Sequence, residues 1–195
     1  MDNLLSALIT SKTRIKLICL FFGNRKTPRF HIRDIERQIN GEINAVREEL
    51  QHLEKYGVLQ KEKRGNRLFY QARLDYPLYL DLLALVRKTN FLGGSIIKNR
   101  SKIGRIKYAC FSGNFIRDEN YSPDSVDLLV IGAIVLPELA KLVKEEEQRI
   151  GREINYSPMT EEEFKFRKNR RDPFIMQILQ KSKVMIIGDE KDLIS

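Results

Sequence analysis

The sequence predicts an α+β protein in two parts, and three observations predict it. Over the first ninety residues, apolar residues recur at helical spacing in three consecutive segments, then switch to alternation about a Gly-Asn turn. From Ile106 onward, apolar strand-like runs alternate with helical stretches, the pattern of an α/β layer with a small mixed sheet. The charge divides as well. Residues 1–90 carry 17 Lys/Arg against 10 Asp/Glu, residues 91–117 carry 6 against none, and residues 118–195 carry 12 against 16, within a net charge of +9. Basic charge gathered towards one end favours a polyanionic partner, although a merely soluble basic surface has the same composition.

The elements follow in order. "TSKTRIKLICLFFGNRK" is a helix capped by Ser11 or Thr10, with Ile15, Ile18, Cys19 and Phe22 on one face and a stop at Gly23-Asn24. "HIRDIERQIN" is a second helix, with Ile32, Ile35 and Ile39 inward and Asn40-Gly41 closing it. "EINAVREELQHLEKYG" is a third, its stripe being Ile43, Val46, Leu50 and Leu53, ended by Tyr56-Gly57. "VLQKEKRGNRLFYQA" is a hairpin turning at Gly65-Asn66, with Lys61, Lys63, Arg64 and Arg67 about its tip.

"DYPLYLDLLALVRKTNFLGG" starts a helix at Pro77. Leu78, Leu82, Leu85 and Val86 form one stripe, and Tyr79 with Leu83 adds a second. A helix apolar on so many sides needs cover, either from the second domain or from its copy in a dimer. Gly93-Gly94 reads as a break, and the domains are expected at 1–90 and 91–195. "KNRSKIGRIK" then concentrates Lys98, Arg100, Lys102, Arg105 and Lys107; a helix alongside DNA, a rim for a polyanionic ligand and plain solvent-facing surface all fit it.

In the second part "IKYACFSG" and "SVDLLVIG" are strands, "LPELAKLVKEEEQRIG" a helix with Pro137 in its first turn, and "REINYSP" a short strand. Thr160 with Glu163 forms a capping box, Asp172 caps a helix with Pro173 at its first position, and "SKVMIIGDEK" is a last strand.

Composition excludes several classes. With 42% hydrophobic and 31% charged residues the chain reads as a soluble protein of the cytoplasm, without a signal peptide. The apolar run Ile15–Phe22 contains Lys16 and is far too short to span a bilayer. Cys19 and Cys110 sit among apolar neighbours and read as buried thiols. With His31 and His52 they show no paired metal-ligand spacing.

The stretch "AVREELQHLEKYGVLQKEKRGNRLFYQA", within residues 11–75, resembles the third helix and wing of ArsR-like winged helix-turn-helix repressors. The resemblance implies double-stranded DNA as partner and a two-fold homodimer held through the apolar helix at 77–89. The residue pattern agrees. With Val46, Leu50 and Leu53 inward, Asn44, Arg47 and Gln51 face away from the core, and these types read guanine and adenine edges in the major groove. Glu48 beside them suits solvent or a neighbouring cation better than a base. Lys63, Arg64 and Arg67 on the wing would hold phosphates and fix register. Plain solvent exposure also produces a charged helix face, and some winged helices bind protein.

A second resemblance covers about residues 100–190. "ACFSGNFIRDENYSPDSVDLLVIG" and "GREINYSPMTEEEF" resemble the small nucleotidyltransferase domains of the polymerase-β type, whose fingerprint is an apolar strand, Gly-Ser, a loop, and Ser-Asp-x-Asp before a second strand. Gly113 matches the glycine, but Asn114 stands where the serine belongs. Asp127 matches the second aspartate, while Ser125 occupies the first. Asn155 stands where a third carboxylate is expected. Two inward carboxylates on one strand face sit at i and i+2, and magnesium needs such anchors to serve phosphoryl chemistry. Asp124 lies ahead of the strand and Glu153 is turned by alternation to the other face, so neither replaces them.

The expectation is therefore a vestigial nucleotide site at Gly113, Asn114, Ser125 and Asp127, with no catalytic residue, no metal and no cofactor. It belongs to a transcriptional regulator that either senses a nucleotide-like or phosphorylated effector or uses the domain as a scaffold. Two alternatives stay open: an active Mg-nucleotide-dependent transferase docking its substrate through the winged helix, and an antitoxin-like interaction protein.

Overall fold

The computed structural model describes residues 4–23, 28–119, 122 and 125–195. The chain divides into two compact units, Met1–Asn90 and Phe91–Ser195. Asp124, Tyr121 and Asn24 lie outside the described residues, and so do the expectations placed on them.

In the first unit a short 3-10 turn, Leu4–Ala7, precedes α1, Lys12–Gly23. Ser11 caps α1, its Oγ accepting from the Arg14 amide at 3.2 Å. The strand β1 is Phe30–His31. The helix α2, Ile32–Ile39, ends where Asn40 adopts a left-handed conformation with φ 47°, a conformation asparagine tolerates. The helix α3, Ile43–Lys55, begins at Glu42, whose carboxylate accepts from the Asn44 and Ala45 amides; those two bonds hold it below its ordinary pKa. The strands β2, Leu59–Arg64, and β3, Arg67–Ala72, pair antiparallel through Arg64↔Arg67, and Gly65 makes the turn with φ +58°. The strand β1 joins the far side of β3, giving the order β1-β3-β2.

The core of this unit is the set of apolar stripes. Ile15, Ile18, Phe22, Ile35, Ile39, Val46, Leu50 and Leu53 are buried, while Cys19 is only half-buried. The helix α4, Tyr79–Thr89, packs against α1, with the Tyr79 ring 5.6 Å from Phe22 and with Leu83 and Val86 buried. A neighbour in its own unit thus covers the face that the sequence assigned to a second domain or a copy. Leu78 and Leu80 stay 52% and 53% exposed.

The second unit opens with α5, Phe91–Lys98, and α6, Arg100–Ile103. Gly93-Gly94 is not a break: both glycines lie inside α5, and the division falls at Asn90, where Phe91 takes a φ of 52°. The Arg149 guanidinium stacks 3.8 Å from the Phe91 ring. Next come β4, Gly104–Ser112; α7, Gly113–Arg117; β5, Leu128–Ile134; α8, Leu136–Ile150; β6, Tyr156–Met159; α9, Glu161–Asn169; α10, Pro173–Gln180; β7, Lys183–Ile187; and α11, Glu190–Ile194. The sheet is mixed, in the order β6-β5-β4-β7, with only β5 and β6 parallel.

Two strands differ from expectation. The strand β5 continues past Gly132 to Ile134. A Cβ on Gly132 would lie 2.2 Å from the Arg105 carbonyl oxygen, so the glycine admits the bulge at Ile106/Tyr108 without ending the strand. The strand β6 starts at Tyr156, four residues later than read, because Asn155 and its predecessors are drawn into contacts with Asp127.

Alternation sorts the sheet into two buried faces. Cys110, Leu129 and Ile131 pack with Met159, Phe164, Ile175, Leu179 and Leu193 from β6 and α9–α11. Ala109, Phe111, Leu128 and Val130 form the other face, and α8 makes the crossover between parallel β5 and β6. Thr160 and Asp172 cap α9 and α10 as read, although the Glu163 carboxylate pairs with Arg167 at 2.8 Å.

Candidate functional site

In the first unit the inward stripe of α3 decides what faces out. Val46 and Leu50 are fully buried and Leu53 is 5% exposed; Asn44 before them and Arg47 and Gln51 between them are exposed. Glu48 is exposed too, whereas Glu49 turns back to Arg14, 2.8 Å from its Nε. The hairpin stands beside the end of α3, tied to it by Lys61 and Glu54 at 2.8 Å. Lys63, Arg64 and Arg67 are all exposed at its tip. Arg64 is not an isolated cation, since its Nε lies 2.8 Å from Glu62, which also stands 3.6 Å from Arg29. Such exposed pairs are weak, so a phosphate can displace them. This end of the unit therefore carries a helix with two amides and a guanidinium outward, and a cationic loop next to it.

In the second unit the four residues picked from sequence do not form one site. Asp127 is 3% exposed, and both its oxygens are taken. Arg152 donates from Nη1 to Oδ2 at 2.7 Å and from Nη2 to Oδ1 at 3.3 Å, and the Asn155 amide donates to Oδ2 at 3.1 Å. The Asp127 amide in turn donates to the Asn155 carbonyl at 2.7 Å. The guanidinium also lies 5.1 Å from the Phe115 ring, which packs 5.0 Å from Phe111. A cation thus already sits at Asp127, and it belongs to the protein.

Ser125 and Asn155 turn elsewhere. The Ser125 hydroxyl donates to the Ser122 carbonyl at 2.7 Å, and the Asn155 side-chain amide to the same oxygen at 3.3 Å. The expectation that residues 125 and 127 share a strand face is incorrect, because β5 begins only at Leu128 and alternation does not reach back to them. Glu153 is exposed, but it precedes β6, so strand alternation is not the reason.

Gly113, Asn114 and Ser125 line a pocket of about 190 Å³ that excludes the Asp127 carboxylate. Its apolar floor includes Cys110, Leu129 and Ile178. Gly113 is required there: its amide donates to the Ser182 carbonyl at 2.7 Å, and a Cβ would lie 2.0 Å from the Ser182 hydroxyl. Asn114 is oriented by Arg117, whose Nη2 donates to its Oδ1 at 3.2 Å. Burial pushes the Cys110 thiol up to about 11, so it is an apolar wall rather than a nucleophile.

Sequence reasoning missed Arg152 and Arg117. The signal for Arg152 was its position three residues before Asn155, in the segment expected to meet Asp127; reading that segment as strand hid it. Among the described residues no group of three or more His, Cys, Asp or Glu side chains could hold a metal ion, and no helix is long and apolar enough to cross a membrane.

The comparisons add no relative. No family model, no curated protein and no solved structure matches this chain.

Proposed function

We propose that the protein is a DNA-binding transcriptional regulator: a winged helix-turn-helix in the first unit, joined to a nucleotidyltransferase-like second unit that does no catalysis. The observation that carries the reading is the pairing of α3 with the β2–β3 hairpin. Asn44, Arg47 and Gln51 are exposed on the helix, and Lys63, Arg64 and Arg67 are exposed on the loop beside it. The element order, with three helices, a hairpin and a β1-β3-β2 sheet, supports a winged helix. In this reading α3 enters the major groove, where Arg47 reads guanine and Asn44 and Gln51 read adenine; the hairpin cations hold the flanking phosphates.

Two further observations support a regulatory role. Arg152 holds Asp127 from two sides, and Ser125 and Asn155 supply no carboxylate. Leu78, at the N-cap of α4, and Leu80 within it are exposed beside the part packed on α1 and supply the apolar surface for a homodimer on a two-fold operator.

The test is a binding titration of the full chain against genomic fragments, followed by anisotropy on the preferred site. Arg47→Ala should cost about 1–3 kcal/mol on that site and relax its specificity. Lys63→Ala with Arg67→Ala should weaken binding evenly across sequences and reduce the salt slope by about 2. Unchanged binding by both variants at every salt concentration overturns the reading.

A further inference from the structure

The pocket on the Cys110–Leu129 side of the mixed sheet has a chemistry of its own. It measures about 190 Å³, below the roughly 300 Å³ at which drug-sized ligands are accommodated, and so it suits a molecule of about one ring. Its inner wall is apolar, built from Cys110, Leu129 and Ile178, and Phe174 stands at its edge still 36% exposed. Its polar wall combines Lys181, Asn114 and Gln177 with Ser112, Ser125 and Ser182. Lys181 is exposed and pairs with no carboxylate among the described residues, and the Asn114 amide is already turned by Arg117, which holds its oxygen and leaves its nitrogen to donate. Lys183 also borders the pocket, but its ammonium is held by the Leu179 carbonyl at 2.9 Å and Glu190 at 3.2 Å. Among the described residues no carboxylate lines the pocket. Asp127, next to the lining residue Val126, is neutralised by Arg152 beside Phe115.

An apolar interior with Lys181 and the Asn114 amide at its rim favours a small anion with an apolar body. We propose that this pocket binds, without any metal ion, a small organic anion: a single carboxylate or phosphate monoester carried on an aromatic or short aliphatic group. The headgroup meets Lys181 and Asn114, and the body lies on Ile178 and Leu129 beneath Phe174. The proposal rests on the reading of the second unit as regulatory, and it names the ligand class which that unit senses.

The full chain is titrated with benzoate, phenyl phosphate, benzamide and ATP with Mg²⁺, following thermal unfolding and methyl NMR of Ile178. Benzoate or phenyl phosphate should raise the melting temperature and shift Ile178; the one with the larger response identifies the headgroup. EDTA should change nothing. Benzamide should bind more weakly. Lys181→Ala, a change at an exposed side chain that leaves the fold intact, should weaken the anion about two- to fivefold, as expected for a solvent-exposed ion pair. Ile178→Trp, which fills the cavity, should abolish the response. No response to either anion, an equal response to benzamide, or a response that appears only with Mg²⁺ overturns the proposal. DNA binding is measured on the same samples. Binding of DNA without binding of either anion sinks the pocket alone, whereas binding of an anion by a chain that ignores DNA sinks the regulator reading.

Discussion

Arg152 decides the chemistry at Asp127. A buried carboxylate needs compensation, and a guanidinium that meets both oxygens supplies charge and geometry together. Arg152 is 13% exposed in its side chain and Asp127 4%, so the pair is largely withdrawn from water. Removing one partner of such a pair leaves an isolated buried charge. Arg152→Ala should therefore destabilise the second unit by about 3–5 kcal/mol, read by denaturant unfolding. The double variant Arg152→Ala/Asp127→Asn should recover much of that loss, since no unpaired anion remains. If the single variant costs no more than the double, the pair is not what holds this corner. Nothing in the sequence says that the two residues meet: they are 25 positions apart, and the contact depends on where β6 begins.

At the scale of elements, strand boundaries carry the functional meaning. Alternation across residues 125–131 would make Ser125 a one-atom-group substitute for a metal-binding aspartate. The strand β5 starts at Leu128, and the Ser125 hydroxyl is turned to Ser122. Ser125→Asp should therefore create no Mg²⁺ site. Isothermal titration with Mg²⁺ should stay flat, whereas micromolar binding would show that residues 125 and 127 can face one ion.

Helices were easier to read. The stripes on α2 and α3 follow 3.6-residue spacing, with Ile32 and Ile43 half-buried, whereas α1 buries Leu17 and Phe21 beyond its expected face; the caps at Ser11, Thr160 and Asp172 depend on neighbours only three residues away. Glycine misled the reading twice. Gly93-Gly94 lies inside α5, and Gly132 lies inside β5, where the close approach of the Arg105 carbonyl requires the absence of a Cβ.

For the whole molecule, the proposed regulator requires two copies to associate. The first unit holds most of the cationic excess, and α4 leaves Leu78 and Leu80 at the surface after packing on α1. Sedimentation of the full chain should give a dimer at micromolar concentration. Leu78→Glu/Leu80→Glu should give a monomer of unchanged helicity that binds a palindromic site more weakly, since a two-fold operator needs both half-site readers. A monomeric wild-type chain that binds DNA with unchanged affinity overturns this arrangement.

What the amino-acid sequence determined by itself is what short-range physics settles: the helical stripes, the Gly65 turn with its cations, the caps, the α+β composition, and the outward residues Asn44, Arg47 and Gln51. Only the tertiary structure decided that Arg152 meets Asp127, that Ser125 turns away from it, that Gly113 and Asn114 line a pocket on the other side of the sheet, and that α4 lies on α1. All but the turning of Ser125, which rests on the Ser122 carbonyl three residues away, depend on contacts between residues distant along the chain. Periodicity and spacing say which face a residue presents, but not what the folded chain brings to that face.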